Sequence, residues 1–328
     1  MGDPDPTEFI NAETERIPFK QTKPDLAQWK STFRSWPSKL KGYKSWYKRM
    51  VAAKRSNWEK VGIAQCLALS IADIKKDEPL LSAVGCFWSD TLNAFILRQG
   101  PMTPTLLDVK MLTGLDILSS TNPFDLDIKC SYQLNTKKKN NCWSGFIVDH
   151  RKTGLVSDEE HAAFLSLWLE RFVFYGSTCA PTANFLHFAE ALVRKEKIPL
   201  GRYLLGATYQ MLHVSSAGIL LNKPVSYGGP WWFIQLWLTI HTNTVANRPS
   251  LLESAFPKYD SNEDQSESRS CKSYREAASV YHGVKPSVEG FKTWFDIFYN
   301  NNATDVLFAY DAYTEFNLPM DLDLSQKC

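Results

Sequence analysis

The spacing of large side chains between residues 29 and 50 constrains this chain more than any other feature. Trp29, Phe33, Trp36, Leu40, Tyr43, Tyr47 and Met50 follow one another at intervals of 4, 3, 4, 3, 4 and 3. A helical repeat puts all seven on one face, so the stretch predicts one amphipathic helix or two consecutive ones. Pro37 has no amide hydrogen and does not belong in a helix interior, which predicts a restart with Pro37 in a first turn. Such a seam needs a broad apolar surface to pack against. A chain of 328 residues with 44% hydrophobic and 13% aromatic content supplies it. With 22% charged residues the balance is that of a globular protein, which excludes collagenous, coiled-coil and wholly disordered chains.

The rest of the chain reads as more helices around one short β element. Val61 to Ile74 predicts a second apolar helix, with Lys75 and Lys76 suited to its C-terminus. Phe87 to Leu97 reads as a strand, and Gln99-Gly100-Pro101 as the turn after it. Thr105 and Asp108 have the spacing of a capping box, and Gly114 stands where the helix so begun should stop. Asp158-Glu159-Glu160 opens a helix carrying Phe164, Leu167, Trp168 and Phe172. Phe185, Phe188, Leu192 and Val193 form another stripe, and Leu200 to Val214 is apolar nearly all round, as a central helix would be. Gly229-Pro230 opens a buried helix at Trp231, and Phe291, Trp294, Phe295 and Phe298 make a last aromatic stripe. No repeat at a solenoid period is visible. The expected fold is mainly α: a single compact multi-helix domain with a small β-hairpin near 87–103. Residues 1–25 read as a flexible lead-in, 26–320 as the domain, 119–145 and 259–273 as flexible loops, and 321–328 as a tail.

Seven cysteines, at 66, 86, 130, 142, 179, 271 and 328, are odd in number and nowhere in a CxxC pair. That predicts buried reduced thiols and a cytosolic or nuclear setting. The amino terminus, Met1-Gly2-Asp3-Pro4, lacks the apolar core of a secretory signal. The longest strongly apolar stretch, Trp231 to Ile240, contains Gln235 and falls short of the roughly 18 residues a membrane span needs. No membrane association is expected, and Asn302-Ala303-Thr304 is then a chance glycosylation sequon.

The usual catalytic signatures are damaged or missing. Gly201-Arg202-Tyr203-Leu204-Leu205-Gly206-Ala207-Thr208 approaches a P-loop but has Ala207 where the phosphate-binding lysine belongs, so the two glycines read as sites of close helix packing. Cys142, His150 and His161 match no zinc spacing. Neither a Gly-x-Ser-x-Gly elbow nor an HExxH occurs. Asp73, Asp77, Asp305 and Asp311 are carboxylates of the type a metal-dependent nuclease uses, but a chain with 35 acids contains such sets by chance. No catalytic residue, metal or cofactor is expected.

The strongest local chemistry lies between residues 30 and 60. Lys30, Arg34, Lys39, Lys41, Lys44, Lys48, Arg49, Lys54, Arg55 and Lys60 are opposed by Glu59 alone, ten cations less one acid, in a chain whose total is +2. One reading is a weak, sequence-indifferent phosphate-binding face made of Lys44, Lys48 and Arg49, with Trp46 available to stack on a base. The bland reading is a solvated helix face over an aromatic core seam.

The ordered succession of motifs resembles the plant mobile domain family. It runs from Phe87-Trp88-Ser89-Asp90-Thr91-Leu92-Asn93-Ala94-Phe95, through Gly100-Pro101-Met102-Thr103-Pro104-Thr105-Leu106-Leu107-Asp108-Val109 and Leu112-Thr113-Gly114-Leu115, to Gly229-Pro230-Trp231-Trp232-Phe233-Ile234-Gln235-Leu236-Trp237. The likeness extends over roughly residues 27 to 300. Pro101 and Leu107 stand where the family often has Glu, and Ala94 where it has Thr. Phe87, Trp88, Asn93, Phe95, Thr105, Asp108, Gly114, Gly229, Pro230, Trp231, Trp232 and Trp237 read as determinants of the fold. The resemblance implies a nuclear protein of transposon origin, related to maintenance-of-meristems proteins and long-form protein phosphatase 7 homologues. It also implies roles in transposon silencing, gene expression and genome stability, with a phosphatase-like protein partner. The leading expectation is a non-catalytic protein-interaction module, some of whose Trp residues are interface anchors. The alternative is an enzyme, either a metal-dependent nuclease or a pyridoxal-phosphate enzyme, as the family's "aminotransferase-like" label implies. The second would need a Schiff-base lysine, a phosphate cup and an acid for the pyridine nitrogen, and no such ordered set is visible.

Overall fold

A computed structural model of the chain describes residues 36–37, 40–71, 76–97, 100–121, 130–136, 142–175, 180–220, 228–241 and 288–299. Trp29, Phe33, Lys30, Arg34 and Lys39, the 1–25 lead-in, the 259–273 loop and the 321–328 tail lie outside these residues. Helix α1 spans Tyr43–Lys60 and begins after Gly42, whose φ of 86° turns the chain into it. Trp36 and Pro37 are irregular, so the helix restarts later than Pro37 suggested. Tyr43, Trp46, Met50 and Trp58 face the core, while Tyr47 is half-buried at the flank. The steps from 43 to 46 to 50 are also helical, and that register won over the one through Tyr47.

A turn at Gly62 separates α1 from α2, Ala64–Leu69, which is shorter than its apolar pattern because Ser70 closes it. The Ser70 hydroxyl donates to the Leu67 carbonyl at 2.6 Å and lies 2.6 Å from the Tyr43 hydroxyl. Helix α3, Glu78–Gly85, starts from Asp77, whose carboxylate accepts from the Leu80 amide at 3.0 Å. The stretch read as one strand is instead two. β1 is Trp88–Ser89, β2 is Ala94–Leu97, and β3 is Gly100–Met102, joined as an antiparallel meander with Trp88 opposite Phe95 and Phe95 opposite Met102. The chain reverses at Asp90–Asn93 because Ser89 accepts from the Leu92 amide at 3.1 Å and Asn93 takes a φ of 53°. The capping box on α4, Leu106–Thr113, forms as the sequence predicts, and Gly114 ends the helix at φ 70°.

Helices α5 (Trp143–His150), α6 (Asp158–Trp168), α7 (Leu186–Val193), α8 (Leu200–Leu220), α9 (Trp231–His241) and α10 (Val288–Tyr299) complete the architecture. The fold is mainly α, as expected, with the small sheet inside 87–103. Helix α6 packs on α7, α8 lies against α4 and β1, and α10 covers α3. Phe87 meets Phe295 and Phe298 of α10 at 5.1 and 5.7 Å between ring centres. All ten Trp among the described residues are buried, so core packing rather than surface anchoring accounts for them. No described helix is long and apolar enough to cross a membrane.

Three buried glutamates tie connections to the helices. Glu160 accepts from the Lys152 amide at 3.2 Å, Glu170 from the Thr182 amide at 3.0 and 3.1 Å, and Glu190 from the Ser131 and Tyr132 amides at 2.8 Å each. Residues 131–132, inside the span read as a loose 119–145 loop, are therefore anchored, and α5 begins at Trp143.

The two glycines of the P-loop-like stretch have opposite roles. A Cβ on Gly201 would stand 2.5 Å from Ile117 Cγ2 and 3.0 Å from the Asp116 carbonyl oxygen, so only glycine allows α8 this close. A Cβ on Gly206 would meet nothing within 4 Å. The close-packing reading holds for Gly201 and fails for Gly206. Gly201→Ala should destabilise the domain by about 1–3 kcal/mol. Gly206→Ala should stabilise it by about 0.5–1 kcal/mol through helix propensity. Urea denaturation of the two variants beside wild type reads both signs.

Candidate functional site

Helix α8 carries a groove of about 950 Å³ along its outer side. Leu200, Leu204, Thr208 and Leu212 face the core, which turns Arg202, Gly206, Gln210 and Val214 outward, one turn apart, along the groove floor. Aromatic side chains border this floor. Phe185 and Phe188 come from the start of α7, and Phe174 and Tyr175 follow α6. Phe174 stacks on Phe185 with ring centres 4.9 Å apart, and Phe188 meets Tyr203 edge-on at 5.4 Å.

A break in helical regularity aims Phe174 and Tyr175 into the groove. After Trp168 the chain continues as a π-helical turn, Leu169–Val173, and the Phe174 amide reaches back five residues to the Leu169 carbonyl at 2.9 Å. The extra residue in that turn rotates everything after it. Tyr175 takes a φ of 48°, uncommon for a bulky residue, and its carbonyl accepts from the Gly229 amide at 2.6 Å. Gly229 has a φ of 120°, and a Cβ there would be 2.7 Å from the Met211 side chain, so glycine is required at this contact. The Trp232 indole donates to the Val173 carbonyl at 2.9 Å and locks the π turn against α9. Glu170, within the turn, is pushed up by burial, an effect its Thr182 hydrogen bonds oppose. Such irregular turns and strained residues concentrate at functional sites.

The groove is apolar and aromatic over most of its length, with Ser119, Ser120, Thr121 and Arg202 among its polar members. The described residues that line it include no Asp, Glu, His, Cys or Lys. They offer ring faces, hydroxyls, an amide and one guanidinium: chemistry suited to holding a ligand by contact and hydrogen bonds. The sequence did not mark this place as a groove, although the P-loop-like stretch supplies its floor and Gly229 its edge. Its walls come from distant segments, and the π turn has no local signature.

The basic stretch has a different geometry from the one expected. Trp46 is fully buried, not beside the exposed cations, and its indole donates to Glu160 Oε1 at 3.0 Å. Arg49 is committed to the same carboxylate, with Nε 3.0 Å from Oε1 and Nη2 2.9 Å from Oε2, while its Nη1 donates to the Gly154 carbonyl at 2.7 Å. Lys54 pairs with Asp158 at 2.7 Å and Arg55 with Glu59 at 2.8 Å. Lys41, Lys44 and Lys48 remain exposed. Arg151, which the sequence did not single out, joins them by donating from Nη1 to Ser45 Oγ at 2.7 Å.

The motif residues lie mostly in the core and at turns and helix ends. Phe87, Trp88, Phe95, Trp231, Trp232 and Trp237 are core, Asn93 holds the β turn with its Oδ1 2.8 Å from His213 Nε2, and Thr105, Asp108 and Gly114 cap α4. Gly229-Pro230 leads into α9 at the groove edge. His161 accepts from the Trp58 indole at 2.8 Å, His150 Nε2 lies 3.3 Å from the Asn135 carbonyl, and Cys142 caps α5. They do not converge, and no group of metal-binding side chains occurs among the described residues. Asp77 caps α3, whereas Asp73, Asp305 and Asp311 lie outside the described residues. Cys66 is buried, with its thiol pushed up by desolvation, but Cys130 and Cys142 are exposed, contrary to the expectation of buried thiols.

Fold and site define a helical, tryptophan-cored domain with a laterally open aromatic groove. The chain belongs to the plant mobile domain family, which it matches over residues 62–322. The groove falls inside the matched residues, and helix α1 precedes them. No curated protein and no solved structure matches the chain.

Proposed function

We propose that this chain is a non-catalytic, nuclear protein-interaction module of transposon origin, and that the α8 groove seats a segment of its protein partner. The observation that carries this reading is the groove itself: an aromatic-walled channel whose described lining offers ring faces, hydroxyls, an amide and one guanidinium. The family resemblance supplies the setting, which is transposon silencing, gene expression and genome stability, and the partner class, a phosphatase-like protein. Gly206 provides a clean test, because it lies on the groove floor and a Cβ added there meets nothing within 4 Å. In pull-downs with the phosphatase-like partner, Gly206→Ala should bind as wild type does, and Gly206→Trp should lose most binding while remaining folded. Equal recovery by both variants would count against the groove, and absence of a fluorescent fusion from nuclei against the setting.

A second reading, weak sequence-indifferent nucleic-acid binding, is favoured by Lys41, Lys44 and Lys48 on one exposed side with Arg151 beside them. Arg49 and Trp46 take no part in it, being held by Glu160. Phosphate contacts release counterions, so affinity should fall steeply with salt. Changing Lys44, Lys48 and Arg151 together to Glu should reduce the slope of log K against log salt by about 2–3 on duplex DNA. Fluorescence anisotropy at low and physiological salt measures it. An unchanged slope, or no binding at low salt, leaves a solvated face.

A further inference from the structure

We propose that the groove selects an acidic partner segment: an extended stretch with an Asp or Glu carboxylate seated on Arg202 and large apolar side chains running toward Val214. This rests on the groove reading above and specifies its ligand. Arg202 Nε donates to the Ile117 carbonyl at 2.7 Å, which fixes the plane of the guanidinium at one end of the channel. That bond uses one donor and leaves the two Nη groups, the pair whose geometry matches a carboxylate. No described carboxylate pairs with Arg202. The nearby Asp116 spends Oδ1 on the Leu118 and Ser119 amides at 2.9 and 3.2 Å.

Ser119, Ser120 and Thr121 join Arg202 in the lining, while Gln210, Met211 and Val214 stand farther along α8. From Arg202 to Val214 the helix rises about 18 Å, the reach of roughly five or six residues of extended chain. Ring faces and the open space over Gly206 suit aromatic or large aliphatic side chains. The described lining carries one charged side chain, Arg202, which attracts an anionic segment and repels a basic one.

The test uses the full chain and labelled hexapeptides in fluorescence polarisation. One set carries two aromatic residues with a terminal-side Asp, and matched sets replace that Asp by Asn or Lys. The Asp peptides should bind about tenfold more tightly than the Asn peptides, and the Lys peptides most weakly. Arg202→Met should erase the difference between Asp and Asn, and Arg202→Lys should keep part of it. Gly206→Trp should abolish binding of all three. Equal binding of Asp and Asn peptides, lost in Gly206→Trp, would overturn the acidic selection and leave the groove reading intact. Binding that survives Gly206→Trp, or no binding by any peptide, would overturn both.

Discussion

Glu160→Ala should cost the domain about 3–5 kcal/mol, the usual loss when one member of a buried charge pair is removed. Four donors converge on this carboxylate: the Trp46 indole, Nε and Nη2 of Arg49, and the Lys152 amide. Its side chain is fully covered, while Arg49 keeps 22% exposure. Deleting the carboxylate leaves the Trp46 indole and the Lys152 amide without their acceptor and Arg49 without its countercharge. It also frees the 151–157 connection, which Arg49 holds through the Gly154 carbonyl. Burial pushes the Glu160 carboxyl up, but Arg49, the Lys152 amide and the Trp46 indole outweigh it, so the net displacement is downward. A lowered carboxyl stabilises the fold above its unfolded value, and that contribution disappears as pH falls through the lower folded value. Urea denaturation at pH 7 should show the full loss in Glu160→Ala and a smaller one in Glu160→Gln, whose amide oxygen still accepts. A loss below 1 kcal/mol in Glu160→Ala would mean that the network is slack.

Acidification from pH 6.5 to about 4 should remove about 3 kcal/mol through His161 alone. Burial holds this imidazole down to about 4, with Lys54 adding to the effect and Asp158 opposing it. Nε2 accepts from the Trp58 indole at 2.8 Å, so the neutral ring carries its proton on Nδ1. The folded value lies below the 6.5 of an ordinary imidazole, so the unfolded chain takes up a proton first as pH falls. The contribution is whole above pH 6.5 and gone near pH 4. His161→Gln retains an acceptor for Trp58 and cannot titrate, so its stability should fall less than that of wild type between pH 6.5 and 5. The remaining decline comes from groups such as His150 and His187, which burial also lowers. Parallel curves for the two proteins would place the acid sensitivity elsewhere.

What the sequence made legible was local. The capping box of Thr105 and Asp108 and the stop at Gly114 lie within ten residues of one another, and they formed as read. The helical stripes were equally visible, because burial of one face is written in their period. Failures came where a distant partner decided the outcome. Tyr47 and Trp46 both fit a helical seam, and Glu160, more than a hundred residues away, selects Trp46 for the core and draws Arg49 off the basic face. The 87–97 run has strand composition throughout, yet Ser89 and Asn93 reverse it. Glu170 and Glu190 look like ordinary surface acids in sequence and are anchors for connections. Gly206 was indistinguishable from Gly201 until Ile117 was found against one and open space against the other. The groove likewise depends on distant partners, since it needs the π turn, the strained Tyr175 and five separate segments at once.

Hydrogen exchange of the full chain, alone and with the proposed phosphatase-like partner, tests the groove most directly. Protection should appear in Phe174–Tyr175, in Leu186–Phe188 and along α8 from Arg202 to Val214, and should vanish in Gly206→Trp. Protection confined to α1, or unchanged in Gly206→Trp, would contradict the assignment of partner binding to this groove.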